Sequence, residues 1–295
     1  MGKRGIVWPD IQLKLVFLGP AVLFFSLIVV APFLLSIYYG LTDWNGVTSE
    51  IGWVGLANFK QILLEDAAFH RSFWFTTRYT LVSVVLINLV GVGLALILTR
   101  SLKTTNLLRT IFFMPNVIGG LFLGFIWHFI FVKGFASAGE ALQIGLFQLP
   151  WLGTPDTSFW GLVIVSVWQY SGYLMVIYIA AILNVPPEIV EAAKIDGASG
   201  ARQLRSIVLP LIMPAFTICL FLAVSWCFKV FDLNLALTKG GPFKSTESVA
   251  LNIFYEAFGN NRYGLGTAKA LIFFVVVAIV TTLQVRFTKK REVEA

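Results

Sequence analysis

The sequence predicts an all-α membrane protein with six spanning helices, and three observations predict it. First, 58% of the 295 residues are hydrophobic and 13% are charged, against about 25% charged in average soluble domains. Second, several apolar windows reach about twenty residues, the helix length that crosses ~30 Å of hydrocarbon. Third, the runs are long and show no alternation of period two, which argues against a membrane barrel. The expected spans are 13–39, 75–99, 107–132, 159–183, 207–231 and 266–287. No internal halves are visible, so one integral-membrane domain over 1–295 is the simplest partition.

Span one follows "MGKR" and stays apolar from Leu15 to Tyr39. That is longer than the apolar core of a signal peptide, and no small-residue cleavage site follows, so a retained span is expected. Gly91 and Gly93 in span two leave room for close helix packing. Pro20, Pro32, Pro115, Pro210 and Pro214 are expected to mark kinks or helix starts. Cys219 and Cys227 lie eight residues apart in span five, about 12 Å along a helix. They read as packing residues rather than a disulfide. His70 and His128 are isolated, and no Cys/His cluster has metal-ligand spacing.

The formal net charge of +7 is dispersed along the chain, a pattern for membrane topology rather than for nucleic acid. With the N-terminus inside, the inner segments carry Lys3, Arg4, Lys14, Arg100, Lys103, Arg109, Lys194, Arg202, Arg205, Arg286, Lys289, Lys290 and Arg291. Against these 13 stand 6 acids, Asp10, Glu188, Glu191, Asp196, Glu292 and Glu294, leaving 9 basic and 9 acidic residues elsewhere. Cytoplasmic loops hold the Lys/Arg excess, so both termini are expected inside, as an even number of spans requires.

One inner loop breaks the apolar pattern: "NVPPEIVEAAKIDGASGARQLR" between spans four and five. Pro186 and Pro187 suit a helix start, Glu188 favours the positive dipole end, and Gly197 suits a left-handed stop. Asp196 can bond backbone amides locally, and Ser199 can cap the next helix. The helix is too short and polar to span. Ile189, Ala192, Ala193 and Ile195 or Asp196 can share one side. Two readings remain at this point: a helical loop lying on the membrane surface, or a rigid knob for a groove on a cytoplasmic partner.

The order Glu191-Ala192-Ala193, Gly197, then Ile207-Val208-Leu209-Pro210 resembles the signature of permease subunits of bacterial binding-protein-dependent ABC importers. The longer form "EAAKIDGAS…IVLPLIMP" is similar to the carbohydrate-uptake branch, with its maltose-type and glycerol-phosphate-type members. The pieces "WVGLANF" (53–59), "LLRTIFFMP" (107–115), "PWLG" (150–153) and "FDLNLALTKGGP" (231–242) fit the same family in order and spacing. Leu204, Ala201 and Tyr79 depart from the family's usual residues.

The resemblance implies a six-helix permease domain whose coupling segment, 186–205, docks on a separate ATPase through Glu191, Ala192, Ala193, Asp196 and Gly197. It implies as partners a second, distinct permease, a dimer of ATP-binding subunits, an extracytoplasmic solute-binding protein and membrane lipid, with no nucleic acid. The localisation is the bacterial inner membrane. ATP and Mg are expected on the partner ATPase and no cofactor in this chain; "GGPFKSTES" (240–248) has Phe243 where a phosphate loop needs Gly. The implied cargo is a sugar, and by analogy with maltose-type members Ser166, Gln169, Tyr170 and Tyr173 in span four and Trp226 and Cys227 in span five are the candidate path. Aromatic rings stack on sugar C–H faces and polar groups meet hydroxyls. Lys229 and Asp232 read as a structural pair or a gate.

An ion-driven secondary transporter is the alternative. It predicts buried carboxylates or broken helices in matched halves, and no expected span has a clear central Asp or Glu. A membrane enzyme needs a nucleophile–base or metal constellation, and none is visible.

Overall fold

A computed structural model describes residues 8–100 and 103–290, with side chains from Leu13 onward. Of the charges counted for topology, Lys3, Arg4, Arg291, Glu292 and Glu294 lie outside the described residues, as does the side chain of Asp10. The described residues are helical almost throughout; the one β-bridge joins Thr42 to Trp53. Among the described residues, five helices are long and apolar enough to cross a membrane, or six if the bent pair Gly200–Leu211 and Met213–Phe228 is one span.

In order, α1 covers 8–40, α2 Ala57–Leu64, α3 Ala67–Leu98, α4 Thr105–Phe113 and α5 Gly120–Leu142. Helix α6 is Pro155–Leu183, α7 Pro187–Ile195, α8 Gly200–Leu211, α9 Met213–Phe228, α10 Asp232–Leu237, α11 Val249–Phe254 and α12 Tyr263–Lys289. Two expected runs are divided. The run 107–132 breaks after Phe113 into a 3-10 turn, Met114–Val117, and resumes at Gly120. Pro115 supplies no amide to the helix, and Gly119 adopts extended geometry. The run 207–231 bends by 69° between α8 and α9, at Ile212 between Pro210 and Pro214.

The chain falls into two compact units. The first takes in the chain up to Asp66 together with Ile253–Ile272. Within it, α1 exposes its apolar side chains, as a lipid-facing helix does. The loop after α1 is built on hydrogen bonds: the Asn58 amide donates to the carbonyls of Gly40 at 3.0 Å and Thr42 at 2.8 Å. Tyr39 stacks on Trp44 at 4.4 Å, and both meet Tyr263 edge-on. A buried charge cluster closes the unit. Lys269 is fully buried, with its Nζ 2.8 Å from Asp66 Oδ2 and 2.6 Å from Glu256 Oε2. Arg262 lies 3.2 Å from Glu256 Oε1.

The second unit takes in Ala67–Asn252 and the chain from Phe273. Its core is the packing of α3 on α6, with α9 against α3 and α10 against α5. Several buried polar groups of the long helices are paired, which low-dielectric surroundings favour. Tyr178 donates to Asn88 Oδ1 at 2.6 Å, the hydroxyls of Tyr79 and Ser166 bond each other, and the Val249 amide donates to Thr76 Oγ1 at 2.9 Å. Gly91 sits against Leu174 and Ser171, as its lack of bulk anticipates, whereas a Cβ added at Gly93 would meet open space. Gly172 brings α6 so close to α4 that any Cβ there overlaps the Phe112 carbonyl. Cys219 and Cys227 are free thiols buried in α9.

Candidate functional site

Helix α7 is short, so its ends must fix it, since nine residues hold little intrinsic helicity. Pro186 and Pro187 open it with Glu188 in the first turn. Gly197 closes it with φ +78°, the left-handed geometry that a side chain disfavours. The Gly197 amide donates to Lys194 O at 3.0 Å and the Ala198 amide to Ala193 O at 2.9 Å, a complete Schellman stop. The Asp196 carboxylate makes no local amide bond; its backbone amide, donating to Ala192 O at 3.0 Å, carries that contact instead. Ser199 caps α8 by accepting from the Arg202 amide, and the Gln203 side chain donates to Ala198 O at 2.7 Å.

No residue of α7 is buried. Glu191, Ala192, Asp196 and Gly197 are exposed and Ala193 is half-buried. Ile195 is 88% exposed, an apolar side chain left outside any core. The five expected docking residues thus lie on α7 and its capped end, four of them exposed.

The six candidate path residues separate into two groups. Tyr170 and Trp226 stack with centroids 4.8 Å apart and planes at 19°, and Tyr173 meets Trp226 edge-on at 5.4 Å. These rings lie where α6 meets α9, because residues 170 and 173 share one helical side. Beside them is a cavity of about 230 Å³ lined by Gly120, Tyr170, Trp226, Lys229 and Asp232 among others. Lys229 and Asp232 are both exposed and do not close to ion-pair distance, so the expected pair is two separate wall groups. Gln169 is buried; its amide donates to Ile118 O at 3.3 Å, and its Oε1 has no partner among the described residues.

Ser166 and Cys227 lie in the packed interior, Ser166 bonded to Tyr79, and neither lines the cavity. Two features, one in each unit, carry only weak signals in the sequence. Phe113 stacks on Tyr173 at 6.1 Å, extending the aromatic wall from α4; the break at Pro115 is the signal that ends α4 at this level. The signal of the Asp66–Lys269–Glu256 cluster is Lys269, a lone cation inside an apolar run.

The family model described as the binding-protein-dependent transport system inner membrane component matches residues 66–293. A probable starch degradation products transport system permease protein, AmyD of Thermoanaerobacterium thermosulfurigenes, is 47% identical over 278 residues, 94% of each chain. The multiple sugar-binding transport system permease protein MsmF of Streptococcus mutans is 34% identical over 262 residues, covering 89% of this chain and 90% of that one. Among solved structures, a chain of a bacterial ABC transporter importing the acidic polysaccharide alginate aligns with TM-score 0.82 at 19% identity, covering 96% and 98% of the two chains. A second structure of an alginate transporter, in complex with its alginate pentasaccharide-bound periplasmic protein, aligns with TM-score 0.83 at 17% identity, covering 96% of this chain and 97% of that one. At these identities the likeness is one of fold.

Proposed function

We propose, from the premise that this chain belongs to the family of binding-protein-dependent transport system inner membrane components, that it is the permease subunit through which an ATP-driven importer passes a sugar into the cytoplasm. The chain is a multi-pass inner-membrane protein, and as the membrane component of a transport system it is not an enzyme. Hydrolysis falls to a separate ATPase, which holds ATP and Mg, and an extracytoplasmic binding protein delivers the cargo. A second, distinct permease completes the pathway, and both termini face the cytoplasm in keeping with the Lys/Arg excess of the inner loops.

The observation that carries this reading is α7: a capped helix with no buried residue, bearing Glu191-Ala192-Ala193 and the left-handed Gly197. Its small side chains admit a groove wall close to the backbone, Ile195 adds apolar contact, and Glu191 and Lys194 offer charges to pair. The Schellman stop and the Ser199 cap join α7 to α8 with little slack. A push on α7 therefore reaches α8, the 69° bend at Ile212, and α9 as rigid-body motion. Trp226 rides about 20 Å along α9 from that bend. Movement at the ATPase thus reshapes the cavity wall made by Trp226 and Tyr170.

The cargo class rests on the aromatic wall and on relatives that carry starch products and multiple sugars. Tyr170, Tyr173 and Trp226 present faces for pyranose rings, and Gln169, Lys229 and Asp232 supply polar groups nearby. With one Lys and one Asp on the wall the cavity suits a neutral sugar. Glu191→Lys or Gly197→Asp in the reconstituted importer is expected to abolish uptake while the binding protein still captures sugar. Normal uptake by Gly197→Asp sinks the coupling assignment.

A further inference from the structure

We propose that the far end of α5 and the loop after it form a second saccharide subsite, which holds the trailing end of a neutral oligosaccharide; this rests on the sugar-importer reading above. A separate cavity of about 450 Å³ lies there, within the size range of small-ligand sites. Phe131, Phe147 and Trp151 supply its aromatic lining, and Glu140, Gln143 and Gln148 its polar lining. On the Lys/Arg topology this loop faces outward, where cargo arrives. Along α5, Phe131 and Glu140 lie about 16 and 30 Å beyond Gly120 of the first cavity. The two sites are therefore distinct and joined by one helix.

The lining has the chemistry of a pyranose site. Trp151 is held in place before any ligand arrives: Phe131 stacks on it at 5.0 Å and 21°, Phe135 meets it edge-on at 5.9 Å, and its Nε1 donates to Leu146 O at 3.0 Å. Such a fixed ring binds sugar C–H faces at low entropic cost. Each glutamine side chain is anchored through one of its two amide donors, Gln143 Nε2 on Glu140 O at 2.8 Å and Gln148 Nε2 on Gly139 O at 3.1 Å. What remains for a ligand is one N–H and the amide oxygen of each glutamine, and the Glu140 carboxylate. Sugar hydroxyls both donate and accept, and match this mixed, acceptor-rich set. Glu140 is the one charged residue of the lining, so anionic sugars are disfavoured. Interfacial belt aromatics turn their rings to lipid; here the rings and three acceptors converge on one cavity.

The test is equilibrium binding of labelled maltohexaose to the assembled membrane complex in nanodiscs, without the binding protein, alongside ATP-driven uptake by the complete wild-type system. Glu140→Ala and Trp151→Ala are each expected to weaken binding about tenfold, with Trp151→Phe recovering most of the loss. Trp226→Ala should leave residual binding that Glu140→Ala then removes. Glu140 is exposed, so its substitution leaves the fold intact. Wild-type uptake together with unchanged binding by both Glu140→Ala and Trp151→Ala overturns the subsite and leaves the importer reading standing. Absence of uptake of any sugar by the wild-type system overturns the importer reading and the subsite with it.

Discussion

Replacing Lys269 with Met tests how the first unit is held together. Lys269 is fully buried and its Nζ lies 2.8 Å and 2.6 Å from carboxylates of Asp66 and Glu256, whose side chains are 13% and 10% exposed. Removing one member of a buried ion cluster leaves desolvated charge without its counter-ion and costs ~3–5 kcal/mol. Glu256 retains Arg262 at 3.2 Å, which is half-exposed and screened, so the lower end, about 3 kcal/mol, is expected. That is roughly a hundredfold in the folded-to-unfolded ratio. The double variant Lys269→Met/Asp66→Asn removes one carboxylate charge along with the cation and should recover a substantial part. The assay is heat challenge of the purified chain in detergent, scored by size-exclusion recovery of monodisperse protein. Wild-type heat resistance of Lys269→Met, or a double variant no better than the single, would mean that the ion cluster does not hold this unit together.

Other substitutions probe the second unit. Gly172→Ala forces a Cβ onto the Phe112 carbonyl, so overpacking should cost about 1–3 kcal/mol and lower the melting temperature in the same heat challenge. Gly197→Ala keeps the small volume but strains the left-handed stop, at about 1–2 kcal/mol for the local conformation; uptake should fall part of the way, less than with Gly197→Asp. Tyr173→Ala opens the wall between Phe113 and Trp226 and should change which sugars stimulate ATP hydrolysis, with unchanged selectivity demoting it to packing.

Much of the fold was legible because lipid imposes a simple rule: every span must be long, apolar and helical. The polar interruption at 186–205 stood out for the same reason, and Gly197 and Ser199 act as their residue types require. The bends were less legible. Pro115 and Pro210 are visible in sequence, yet whether a proline kinks a helix or ends it depends on what neighbours can satisfy the freed carbonyls. Within the path, helical spacing correctly gathered Tyr170 and Tyr173 but not which side of α6 faces a cavity. Ser166 shares their run and is instead consumed by Tyr79, a partner 87 positions away. The break after Phe113 and the lone cation Lys269 can be seen in the sequence, but their partners cannot: Phe113 meets Tyr173 of α6, and Lys269 meets Asp66, some two hundred positions earlier.

In the proposed function, ATP hydrolysis on a partner, coupled through α7, moves a sugar past this chain. The most direct measurement is maltohexaose accumulation in proteoliposomes holding this chain with its partner permease and ATPase, and the binding protein outside. Accumulation that appears only with ATP enclosed on the ATPase side, and that Gly197→Asp abolishes, is the predicted result. Accumulation driven by a proton or sodium gradient without nucleotide contradicts the account.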